Sequence, residues 1–418
     1  MENSKLSFVQ KWKDKIKEKL NRAKERSAGR MQSDEMRSLS EKLRLHKIRI
    51  QMKTVLLCTA VVALVAGVVI FRQVRVLHHY KVLSSVERAD DSATQYVRLK
   101  GRTLKCNPNG VTCVNDANEV QWNVTFTMQS PITDVCGSTA VVGDCRGKDI
   151  YVFDKNGQIG HFEVEYTLLK VKVASQGVVA AVLEDGEITW TNVYDSQGTV
   201  IVRNKTSMNE SGYPVDVDIS SDGKKMAVSY LFMDDSNIKT RAAFYNFSKA
   251  GKSEKDYLVS SEEYSGVVAP KIAFLGNSHA AVFRDNGITF FAGRQVPEKK
   301  TEITVESEII SAFYNDEYVG IITASDEEEQ THKYKMQVYR AGGSRCGKWY
   351  FDFGYKKVKL YDNRIIMYNN NGLVVYTVSG KKVASVEYEK QVVDVIKTGN
   401  FNKYEIITAD STDRIKLK

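Results

Sequence analysis

One recurring unit constrains this chain more than anything else. It is an aliphatic–aromatic strand, a polar turn holding Gly or Asn, and a second strand. It occurs as "YVFDKNGQIGHF" from Tyr151, "TNVYDSQGTVIV" from Thr191, "AFYNFSKAGKSEKDYLV" from Ala243, "QVYRAGGSRCGKWYF" from Gln337 and "VVYTVSGKKVASV" from Val374. Weaker copies are "TCVNDANEVQWNV" from Thr112 and "FFAGRQVPEKKTEI" from Phe290. Successive copies step by roughly 37 to 52 residues, the length of a four-stranded blade. Long stretches of 3.6-residue periodicity are missing from this region, and short Val-, Ile- and Tyr-rich runs alternate with Gly, Asn, Asp and Ser turns. The spacing predicts an all-β fold over 90–418, a β-propeller of about seven four-stranded blades.

The stretch "DISSDGKKMAVSYL", Asp218 to Leu231, reads as one inner hairpin of such a blade. "VDVDI" precedes a turn at Ser221-Asp222-Gly223, where Gly supplies the positive φ, and "KMAVSYL" follows. The turn resembles the S-x-D-G-K turn of Tol-type and WD-repeat propellers, although no Trp-Asp dipeptide occurs in the chain. "GEITW", ending at Trp190, and "NEVQW", ending at Trp122, resemble the Gly–x–x–x–Trp of quinoprotein propellers. That resemblance implies blade-docking tryptophans and no quinone.

Ahead of the repeats lies "TVLLCTAVVALVAGVVIF", Thr54 to Phe71, uncharged and bounded by Lys53 and Arg72. At ~1.5 Å per residue these residues span about 27 Å as a helix, close to a hydrocarbon core of about 30 Å. The segment starts too far into the chain for a signal peptide. The formal net charge of +9 sits entirely ahead of it, because residues 1–53 carry 16 Lys+Arg against 7 Asp+Glu. Such an asymmetry predicts a single-pass plasma-membrane protein with a cytoplasmic N-terminus and residues beyond about 75 outside. It also argues against nucleic-acid binding, which needs its cations on the folded part. The expected domains are a basic helical segment at 1–53, the span at 54–71, a linker at 72–89 and the propeller.

Within the basic segment, Phe8, Val9, Trp12, Ile16, Leu20 and Ala23 share one face of a helical wheel flanked by Lys and Arg. Such a helix is expected to lie on an anionic leaflet, with Phe8, Trp12, Ile16 and Leu20 in contact with lipid. In the span, Thr59, Ala63 and Gly67 fall four residues apart and offer a face for homodimerisation.

The order of parts resembles a family of single-pass, membrane-anchored, propeller-like envelope proteins of Gram-positive anaerobic bacteria, known as a domain of unknown function. The resemblance is carried by the basic tail and the span, by "NEVQWNVTFTMQSPITDV" and "SGYPVDVDISSDGKKMAVSYLF", and by the terminal "DRIKLK". It implies no activity and no site residue.

No H-E-x-x-H, C-x-x-C, G-x-S-x-G, phosphate loop or Ca²⁺ loop occurs. No catalytic, metal or cofactor residue is therefore expected. Beyond His78-His79, only His161, His279 and His332 remain, scattered along the repeats. Five cysteines follow the span, and Cys106 and Cys113 flank "NPNGVT", where a wide loop would allow a disulfide. Two function classes stay open. One is a non-enzymatic binding or scaffold module for an envelope protein or glycan. The other is a propeller enzyme, acting on envelope glycans or quinoprotein-like, and the lining of the channel mouth separates them. The longer loops, 203–212, 233–239, 249–256 and 325–334, are polar and poor in aromatic anchors. They predict a weak or multivalent partner at one face.

Overall fold

The computed structural model describes residues 3–207, 212–234, 237–326, 331–399 and 402–418, without the side chains of 3–12, 31–35, 37, 38, 40, 42, 66, 68–74 and 234. Two compact units follow one another along the chain, Met1–Arg75 and Val76–Lys418.

The first unit is a single α-helix, Asn3–Val74. The first proline of the chain is Pro108, so no imide interrupts the run from the basic segment into the apolar one. Within it, Leu43–Val65 is long and apolar enough to cross a membrane, overlapping the expected span from residue 54 onward. The side chains described at 13–30 and 43–65 are all exposed. Ile16 and Leu20 are among them, and the expected partners Phe8 and Trp12 lie outside the described side chains. Thr59 donates its hydroxyl to the Leu56 carbonyl at 2.9 Å, and nothing lies within 4 Å of a Cβ placed on Gly67.

In the second unit the described residues form eight four-stranded antiparallel sheets, not seven. Blades 1 to 7 occupy 95–125, 131–163, 167–207, 213–265, 271–304, 309–351 and 357–387, each with its strands in chain order. Blade 8 takes three strands from 392–417 and its fourth from Tyr80–Glu87, which pairs antiparallel with Ser411–Leu417. Residues 80–87 are therefore no linker. The seven copies read from the sequence are the third-to-fourth-strand hairpins of blades 1 to 7. Blade 8 has no such hairpin, because its outer strand comes from the other end of the chain. Pairing across that distance leaves no local signal.

Eight apolar clusters fill the ring, each built from two neighbouring blades. Between blades 3 and 4, for example, Val182 and Val193 pack with Val217, Met226 and Val228. Burying one such side chain stabilises by about 1.5–3 kcal/mol, so blade-to-blade packing carries the fold. The cluster between blades 8 and 1 is the thinnest, with only Tyr96, Ile396 and Ile407 in its buried set. Polar bonds supplement it there. The Tyr96 hydroxyl donates to Asp90 at 3.0 Å, Lys105 pairs with Asp90 at 3.0 Å, and Arg88 donates to the Thr408 carbonyl at 2.9 Å.

Aromatic stacking repeats the docking in a second form. Trp122 lies 5.4 Å from Phe153 of the next blade, Phe162 lies 5.3 Å from Tyr194, and Trp349 lies 5.5 Å from Tyr376. In each pair the outer strand of one blade meets the third strand of the next. Trp122 thus docks blades as its motif implied. Trp190 stacks on Tyr166, in the segment leading into its own blade, and packs against the cluster between blades 2 and 3.

The expected disulfide is not formed, and Cys106 and Cys113 are free. Their hairpin turns tightly through Pro108-Asn109, with Val111 opposite Cys106 and Leu104 opposite Cys113. The two cysteines are diagonal neighbours, and diagonal positions lie about 7–8 Å apart where a disulfide needs Cβ atoms about 3.8 Å apart. Both side chains are packed into the core between blades 1 and 2.

Candidate functional site in the central channel

The first strands lie innermost, and they touch one another between blades 1 and 2, 2 and 3, 3 and 4, 4 and 5, and 6 and 7. These strands alternate charged with aliphatic residues: "TLLKVKV", "VDVDI" and "KVKLY" are three of them. Period-two alternation places the aliphatic set into the inter-blade core and the charged set together on the other face. Val171 and Val173 accordingly pack in one cluster while Lys170 and Lys172 do not.

The charges pair from blade to blade. Lys172 Nζ is 2.9 Å from Asp134 Oδ1, and Asp134 Oδ2 accepts the Val173 amide at 3.0 Å. Lys170 Nζ is 3.1 Å from Asp216 Oδ1, and Asp216 Oδ2 accepts the Ile272 amide at 3.1 Å. Asp218 Oδ2 accepts the Phe274 amide at 2.7 Å. Across the ring, Asp394 Oδ1 receives both Lys359 Nζ and the Tyr368 hydroxyl at 2.5 Å. An inner strand leaves one edge of amides without a sheet partner, and these carboxylates satisfy several of them. They join blade 2 to 3, 3 to 4, 4 to 5, and 7 to 8.

Burial sets the protonation of the cluster. It pushes Asp218 up to about 7, with the Asp134 charge adding to the rise and Lys172 opposing it. For Lys172 burial acts to depress the ammonium, but Asp134 and Asp218 outweigh it and hold the group well above the ordinary lysine range. Lys271 is lowered by burial and by repulsion from Lys172. One lysine between two aspartates, one of them half-protonated near neutrality, can hold a proton or a ligand's hydroxyl. It cannot act as a free carboxylate pair, because Asp134 and Asp218 are each bonded to a neighbouring strand.

Sequence reasoning did not single these residues out. The signal was present in the charged–aliphatic alternation, but a solvated sheet face gives the same pattern. The histidines are not brought together: His161 pairs with Asp149 at 2.8 Å, and His332 pairs with Asp352 at 2.7 Å on another blade. The loops expected at one face divide between two. Those around 203–212, 233–239 and 325–334 follow second or fourth strands, whereas 249–256 joins a third to a fourth strand at the opposite face. Of these stretches, 208–211, 235, 236 and 327–330 lie outside the described residues.

No curated protein matches the sequence. Among solved structures, the chain is similar to BamB from Moraxella catarrhalis, at 11% identity and a TM-score of 0.49, over 81% of this chain and 98% of that one. It is also similar to hydrazine synthase from Kuenenia stuttgartiensis, at 12% identity and a TM-score of 0.44, over 66% of this chain and 92% of that one. Residues 73–417, which include every strand of the ring, match the model of the family of unknown function DUF5711, and the chain belongs to that family.

Proposed function

We propose that this protein is a single-pass membrane protein with a cytoplasmic N-terminus, and that it displays the propeller outside the membrane as a non-enzymatic binding or scaffold module of the cell envelope. The observation that carries the reading is the bonding of the channel carboxylates. Asp134, Asp216 and Asp394 are neutralised by lysines, and Asp134, Asp216 and Asp218 also hold inner-strand amides. Groups spent on joining blades are poorly placed to exchange protons with a substrate. The apolar segment and the basic excess ahead of it support the anchor and its orientation. The polar loops fit a weak or multivalent envelope protein or glycan, with avidity raised if Thr59, Ala63 and Gly67 pair two anchors.

Protease added to intact cells from which the outer wall has been removed tests the reading. The ring should be digested and an N-terminal tag spared, and digestion of the tag would refute the orientation. Crosslinking in the same cells should recover partners that high salt removes.

A second reading, an enzyme acting on envelope glycans, has one observation in its favour. Asp218, raised to about 7, has the protonation of a general acid. Glycan turnover lost in Asp218→Asn would favour it.

A further inference from the structure

The hairpin turn "SSDGKK" of blade 4 has a role that ring packing does not explain. It faces the matching turn of blade 5 across a cavity of about 340 Å³. The two turns are tied together, since Asn277 Oδ1 accepts the Asp222 amide at 2.8 Å. At the back of the cavity, Asn246 Nδ2 donates to the Gln295 carbonyl at 2.7 Å.

Lys225 lines this cavity with its side chain only 3% exposed. Its ammonium has no hydrogen-bond acceptor among the described residues. Asp222 Oδ1 stands 3.9 Å away, beyond hydrogen-bonding reach, and is already occupied by the Ser220 hydroxyl at 2.7 Å. The Phe274 ring, 6.0 Å from Nζ, is the other group that faces it. Burial lowers the lysine's affinity for its proton, Asp222 opposes this and Lys224 adds to it. The stem is enclosed and the ammonium opens onto the cavity, so its hydrogen-bond acceptors must come from whatever occupies that space.

The remaining lining says what supplies it. Lys224 and Arg294 also border the cavity, and neither side chain has a carboxylate partner among the described residues. The side-chain amide oxygens in the cavity are already engaged. Asn246 Oδ1 takes the Ser248 amide and hydroxyl, Gln295 Oε1 takes Asn246 and Ser248, and Asn277 Oδ1 takes Asp222. What stays unspent is one carboxylate oxygen, Asp222 Oδ2, against a larger set of donors: three cationic groups and the amide nitrogens of Asn277 and Gln295. With one carboxylate against three cations, the cavity carries a formal charge of +2.

We propose that the cleft between blades 4 and 5 binds a small molecule through an oxyanion, a phosphoryl group or its equivalent, seated on Lys225 and closed over by Lys224 and Arg294. The volume exceeds what one oxyanion fills and falls at the small end of ligand sites, so the ligand is about the size of a phosphorylated sugar. The proposal goes beyond the partner reading and does not depend on the orientation of the anchor.

The test is calorimetric titration of the full chain in neutral detergent at pH 7 and constant ionic strength, with inorganic phosphate and glucose 6-phosphate as probes. Saturable binding of both is expected, tighter for the sugar phosphate. Lys225→Met should weaken it about tenfold or more and Arg294→Gln several-fold. Arg294 is on an exposed turn, so its variant leaves the fold intact. Lys225→Met keeps the enclosed stem and removes one of three like charges around the cavity, so it should melt no lower than the native protein. Equal affinity for the two probes also supports the site and assigns it to the oxyanion alone. No saturable binding of either probe below about 20 mM, or binding unchanged in both variants, would overturn it.

Discussion

Tyr80 lies directly opposite Leu417, so the first strand of the ring is hydrogen-bonded to the last. This pairing closes the propeller, and one buried carboxylate fastens it. Asp413 is 1% exposed, accepts the Tyr388 hydroxyl at 2.7 Å and Lys390 Nζ at 2.8 Å, and also holds the Ser85 hydroxyl of the incoming strand. Burial acts to raise its pKa, but the bonds from Lys390, Ser85 and Tyr388 outweigh that and hold it below the ordinary carboxylate range. A lowered folded value means that the stabilisation is present above the unfolded value near 4 and is lost as pH falls through the folded one. Asp413→Asn should therefore cost about 1–3 kcal/mol at pH 7 in denaturant unfolding, and the cost should shrink in acid.

Asp218 predicts the opposite slope. Its folded value, about 7, lies above the unfolded one, so the folded state binds the extra proton between pH 4 and 7. Stability should fall as pH rises through that window and level off above it, by at most about 4 kcal/mol. Asp218→Asn keeps the acceptor for the Phe274 amide and should flatten the slope. An unchanged profile in thermal melts across pH 4 to 8 would refute the assignment.

Free, packed thiols make a chemical prediction. Burial pushes the Cys106 thiol up to about 12 and raises that of Cys113. Iodoacetamide should leave both unmodified in the native protein, and should alkylate both after denaturation without any reductant. Peptide mass spectrometry distinguishes this from a bridged pair, which would need reduction first.

Gly380 sits in the third-to-fourth-strand turn of blade 7 with φ +93, and a Cβ there would come 2.7 Å from the Trp349 ring of blade 6. Gly198 repeats the arrangement under Phe162 with φ +86. Either Gly→Ala substitution forces a left-handed backbone and displaces the docking ring. A loss of about 2–4 kcal/mol is expected, read from the unfolding midpoint.

Those two glycines show how much the sequence disclosed. The turns around Gly198 and Gly380 belong to the copies from which the propeller was read, and the φ > 0 expected at Gly223 is present at +65. Local signals of this kind survive without an alignment, because strand period and turn chemistry are properties of neighbouring residues. Relationships across the ring do not. Tyr80–Glu87 carries no mark of its partner, which hid the eighth blade. Asp134 and Lys172 read as solvated alternation until the inner strands are brought side by side. Lys225 opens the strand "KMAVSYL", and only the neighbouring blade reveals the cavity onto which its ammonium opens.

Ring closure by the strand at Tyr80 also sets a timetable for biosynthesis. Ser85 and Asp413, which meet in the closed ring, are 328 residues apart in the chain. At translation rates of about 5–20 residues per second, the early strand waits roughly 15 to 65 s for its partner to emerge. Through that interval it is an open edge bearing the apolar side chains of Val82, Leu83 and Val86, which are exposed even in the finished ring. A nascent chain of this protein is thus most vulnerable to mispairing at the strand Tyr80–Glu87, and the emergence of Ser411–Leu417 ends that hazard.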